Sequence, residues 1–101
     1  LSSAYAFQSG GPNTTVNLAV TASSGNVAAK NGSTSSLRIV NSGANTVFIE
    51  ISTAAQTASL TTSMPMLPNS VEVFNAPWEA VVSAIAGATG NTLYITPGDG
   101  L

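Results

Sequence analysis

The chain has 101 residues, with 2 Lys+Arg, 4 Asp+Glu, no His and no Cys. That is the length of one domain, and at 6% its charge lies far below the about 25% of ordinary globular proteins. Without Cys there is no disulfide framework, thiolate nucleophile or zinc–sulfur site. Without His there is no Ser–His–Asp arrangement and no imidazole base. The acids Glu50, Glu72, Glu79 and Asp99 are scattered, a spacing that suits solvent-facing charges better than a catalytic pair or a calcium loop. Two cations, Lys30 and Arg38, cannot neutralise a nucleic-acid backbone. No apolar run reaches the roughly 18 residues of a membrane-spanning helix, and no basic-then-apolar leader pattern opens the chain. Since the first residue is Leu1, a removed N-terminal piece or a longer parent chain is expected. With 44% hydrophobic residues the chain is not composed like a disordered one. Its polar surface must be Ser, Thr, Asn and Gly, which suits packing against copies of itself or a larger assembly.

Residues 1–13 carry Tyr5 and Phe7, then the breaker Gly10-Gly11-Pro12. They read as an extended arm, with an ordinary edge strand as the alternative. From Thr14 to Ala22 the pattern alternates, Val16, Leu18 and Val20 on one face, which predicts a half-buried strand. A turn at Ser23–Asn26 and a short strand to Lys30 follow. Leu37 and Ile39, then Val47, Ile49 and Ile51, alternate around Asn41-Ser42-Gly43-Ala44-Asn45, the pattern of a β-hairpin. Residues 52–64 read as a long loop that crosses between sheets or touches a partner. Ser70–Asn75 is another strand. Ala76–Ala88 fits a helix through Trp78, Val81, Val82 and Ile85, but its β surroundings favour a strand forming a hairpin with Thr92–Thr96. Residues 97–101 read as a non-strand tail. Six to eight short strands in this rhythm predict an all-β fold, a small antiparallel β-sandwich or jelly-roll-like domain over 14–101.

Three stretches carry a family resemblance: Leu37–Ile49, Leu67-Pro68-Asn69-Ser70-Val71-Glu72-Val73-Phe74, and Leu93-Tyr94-Ile95-Thr96-Pro97-Gly98-Asp99-Gly100-Leu101. Together, over about residues 35–101, they resemble small virion proteins of tailed bacteriophages, in particular head decoration (cement) proteins. Asp99 stands where Glu is common in that pattern. The resemblance implies a structural protein on the outer surface of the capsid, partnered by the major capsid protein and by copies of itself as a dimer or trimer. It implies no catalysis, cofactor, metal, small-molecule substrate, nucleic acid or membrane. A head–tail or tail component is an alternative within the class. A glycan-binding sandwich using Trp78 and Tyr94 is the alternative outside it.

The candidate contact residues are Tyr5, Phe7, Met64, Met66 and Trp78. Tyr5 and Phe7 are aromatics on the expected arm, so they need a partner surface. Met64 and Met66 flank Pro65 and suit either an adaptable patch or core filling. Trp78 suits either an interface anchor or a core plug at one end of the sandwich. Arg38, opposite in face to Leu37 and Ile39, is a solvated strand residue by default.

Overall fold

The computed structural model describes residues 6–100, which form nine strands and no helix. They are β1 (Gln8–Ser9), β2 (Val16–Val20), β3 (Gly25–Ala28), β4 (Ser36–Asn41), β5 (Val47–Ser52), β6 (Met64–Met66), β7 (Val71–Asn75), β8 (Val81–Ala86) and β9 (Asn91–Asp99). All pairings are antiparallel. Sheet A runs β9-β4-β7, with β1 and β2 sharing the outer side of β9; sheet B runs β3-β8-β5-β6. The pairs β2:β9, β3:β8, β4:β7 and β5:β6 match the first half of the chain with the second half in reverse order. Pairs β4:β9 and β5:β8 then roll that long hairpin closed. This is the jelly-roll order, and the expected small antiparallel sandwich is the fold of the described residues.

Alternation decides what fills the space between the sheets. Leu37 and Ile39 of β4 and Leu93 and Ile95 of β9 meet Val47 and Ile49 of β5 and Val82, Ala84 and Ala86 of β8, all essentially fully buried. Burying each large aliphatic side chain contributes about 1.5–3 kcal/mol. Alanines on β8, with Ala29 and Ala80 at its start, let the sheets approach closely where larger residues would overpack.

Two expected hairpins are corrected. β4 and β5 are both strands, but they lie in opposite sheets, and so do β8 and β9. Their connections are arches, so the apolar faces look at each other across the core. Val40 and Phe48 therefore do not share a face; they lie on the outer faces of different sheets. Buried Asn41 holds the first arch: its amide nitrogen donates to the Asn45 and Met66 carbonyls at 3.0 and 3.1 Å, and its oxygen accepts from Gly43 N–H at 3.0 Å. Asn91 accepts from Asn45 N–H at 3.1 Å and donates to the Ala88 carbonyl at 2.9 Å, tying both arches together. A Cβ on Gly43 would run into the Asn91 side chain, so this position requires glycine.

The expected C-terminal tail is likewise corrected. β9 continues through Pro97 and Gly98 to Asp99, with Pro97 opposite Leu37 and Gly98 opposite both Ser36 and Ser9. Proline is tolerated there because edge pairing passes from β2 to β1 at that point. Of the expected arm, residues 1–5 lie outside the described residues. From Gln8 onward it is an edge strand tied to β9, and Gly10 N–H reaches the Pro97 carbonyl at 2.8 Å.

Candidate interaction surfaces

The described residues enclose no pocket, so the features to weigh are surfaces. At one end of the sandwich the β3–β4 and β7–β8 connections are locked together by buried Asn31. Its amide nitrogen donates to the Pro77 carbonyl at 2.8 Å and its oxygen accepts from Ala80 N–H at 2.8 Å. Glu79 N–H donates to the Gly32 carbonyl at 3.1 Å. Lys30 and Glu79 both take the left-handed region, at φ 58° and 54°. Each costs on the order of 1 kcal/mol, which the surrounding bonds must offset. What this clamped turn displays is Trp78, 68% exposed. The tryptophan is therefore not a core plug. Pro77 and Glu79 on either side of it are exposed as well, so the turn lies outside the core.

Alternation and register define the outer face of sheet A. Asn17, Tyr94, Val40 and Val71 form one row across four strands; Thr96, Arg38 and Val73 form the next. Thr15 joins that second row through a 2.7 Å hydroxyl contact with Thr96. Tyr94 and Val71 are 43% and 48% exposed, and the one charge in these rows is Arg38. Gly98 lies further along the same face. A Cβ on it would run into the Phe7 ring and the Gln8 carbonyl, so half-buried Phe7 lies over Gly98. Phe7 thus lies on the same face as Tyr94, next to the β1 edge strand.

Sheet B differs. The connection 53–63 folds back over its outer face rather than crossing between sheets. Gln56 N–H donates to the Ser83 hydroxyl at 2.9 Å, Ala58 N–H to the Ser24 hydroxyl at 2.8 Å, and the Ser63 hydroxyl to Glu50 at 2.7 Å. Ser83 is fully buried by this cover although it points away from the core.

The remaining candidates separate. Met64 is 42% exposed at the open edge of β6, whereas Met66 is fully buried against the core. Met66 pairs with Val47 and shares its inward face, so it is a core residue and leaves the contact set. Tyr5 lies outside the described residues. Trp78 and Tyr94 sit in different places, one on an end turn and one in mid-sheet. Leu67 and Val71, 64% and 48% exposed, are surface residues that their sequence surroundings do not mark. The alternation in Val71–Phe74 marks two faces, and only the register with β4 says that Phe74 and Glu72 share the side of Leu37 and Ile39. No family model, curated protein or solved structure matches the chain.

Proposed function

We propose that this protein is a structural subunit of a tailed-bacteriophage virion, a decoration or cement protein that binds the outside of the head and braces contacts between capsomers. The observation that carries this reading is the nearly uncharged outer face of sheet A, with Tyr94, Val40 and Val71 left open and Phe7 half-buried among the described residues, together with the clamped turn that displays Trp78. Exposed aromatic and aliphatic area of this kind is what protein interfaces bury. Its low charge makes binding weakly dependent on salt. The stretches that carry the phage resemblance also support the reading, since they supply β4, β7 and β9 of this sheet.

The role needs stiffness rather than chemistry. A jelly roll cross-linked by buried asparagines moves little on binding, so little ordering entropy is lost. Lattice symmetry multiplies a modest contact into firm retention. The test is cosedimentation of the purified chain with expanded phage heads, followed by electron cryo-microscopy of the particle. Saturable binding at repeated positions over the shell is the expected result. Trp78→Ala should lower occupancy at least about tenfold, the loss of one interface anchor. Density confined to the tail or the head–tail junction would replace the decoration role with a tail one. No binding to heads or tails would sink the reading.

A further inference from the structure

Sheet edges expose backbone donors and acceptors, and this sandwich treats its edges unequally. β6 has three residues with Pro65 at its centre. β2 packs along β3 where sheet A folds against sheet B, and β1 is two residues long. β3 is four residues, beginning at a glycine. Each is short, covered or interrupted, as edges that must not pair usually are. β7 is the exception: five residues, two of them valine, with no strand beyond it among the described residues.

The hydrogen bonds that flank β7 fix which of its groups are available. Asn41 N–H donates to the Ser70 carbonyl, and Ala76 N–H donates to the Ser35 carbonyl. Residues 70 and 76 thus face β4, and with them, by alternation, 72 and 74. The N–H and C=O of Val71, Val73 and Asn75 point away from the sheet. This set is symmetric about Val73.

We propose that β7 is a homodimer interface, in which β7 of a second copy pairs antiparallel with its two-fold axis at Val73. Val73 then faces Val73, and Val71 faces Asn75, giving about six inter-strand hydrogen bonds. Charge selects this register. Glu72 lies on the core-side face of β7, and centring on Val73 sets each Glu72 opposite a Phe74. Centring on position 72 would set two Glu72 carboxylates against each other. On the opposite face, Val71, Val73 and Val40 of the two copies merge, so the outer faces of sheet A become one continuous surface. The interface deepens the self-association part of the reading above, but the edge geometry carries it separately.

The experiment is the solution mass of the full chain over a concentration series, by sedimentation equilibrium, with two variants. Wild type should approach twice 10.1 kDa. Val73→Pro removes an outward N–H that β4 does not use, and Val73→Lys sets two cations at the axis. Both should keep the wild-type circular dichroism and run as monomers, with the dimer dissociation constant raised roughly a hundredfold. Amide exchange at positions 71, 73 and 75 should slow with concentration in wild type alone. A wild-type monomer at every concentration, or a dimer that survives both substitutions, overturns the interface. A wild-type chain that stays monomeric yet binds phage heads overturns the interface and leaves the decoration reading standing. A dimer bound to no particle supports the interface and sinks that reading.

Discussion

The outer faces of the two sheets are built from the same kind of strand and finished differently. On sheet B, the chain lays residues 53–63 over the surface and satisfies them with Ser83, Ser24 and Glu50. On sheet A nothing comparable lies over Tyr94, Val40 and Val71 among the described residues; only Phe7 covers part, at Gly98. Ser83, Ser24 and Glu50 on the covered side bond within the molecule. The open face sets Thr15, Asn17, Arg38 and Thr96 among apolar groups that are left in water. Covering an apolar face internally contributes to folding, whereas leaving it open forgoes that contribution and offers it to a partner. Substitutions on sheet B should therefore register in stability, and substitutions on sheet A in binding.

The sharpest way to break this contrast is Tyr94→Ser. In the proposed assembly, affinity for phage heads should fall roughly a hundredfold, as for a central interface aromatic. The denaturation midpoint should barely move, because an exposed substitution away from the core stays within about 0.5 kcal/mol. Titration of heads with the variant measures the first, and urea unfolding the second. A large stability loss with unchanged head binding would invert the contrast. Gly98→Ala probes the one covered part of sheet A. Its Cβ meets the Phe7 ring and the Gln8 carbonyl, so β1 must lift from β9. An overpacking cost of about 2 kcal/mol is expected in urea unfolding, together with faster amide exchange at Gly10, whose N–H bonds Pro97.

How much of this was legible in the chain depends on the range of each interaction. Alternation in Val16–Val20, Leu37–Ile39, Val47–Ile51 and Leu93–Ile95 is local, and it marked both the strands and their core faces. Strand neighbours are not local. A run such as Leu37–Asn41 followed by Val47–Ser52 looks the same whether its loop closes a hairpin or an arch. Here Asn41 and Asn91 decide for the arch by bonding residues up to 46 positions away. The Pro97-Gly98-Asp99 end reads as a non-strand tail because proline and glycine usually interrupt strands. It is a strand because β4 and β1 pair with it from either side. The surface was harder still. Met64 and Met66 look alike in sequence, yet pairing with Val47 and Ile49 near the end of a short edge strand buries one and leaves the other open. Trp78 is exposed because of Asn31, 47 residues earlier, and nothing near the tryptophan announces that clamp.

The cover over sheet B gives the smaller effects. Ser83→Ala takes away the acceptor for Gln56 N–H beneath the cover. A lost buried hydrogen bond of this kind costs about 1 kcal/mol, readable as a lower urea midpoint, with head binding unchanged. Leu60→Ser is the smallest test and the most discriminating one. Leu60 is an exposed apolar residue like Tyr94, at 46% against 43%, but it belongs to the cover. If exposed apolar area alone made an interface, both substitutions would weaken head binding alike. If the open sheet is what matters, Leu60→Ser should leave binding within about twofold and stability within about 0.5 kcal/mol. Equal losses for the two variants would mean that the cover, too, touches the partner, and the division between an internally satisfied face and an outward-facing one would fail.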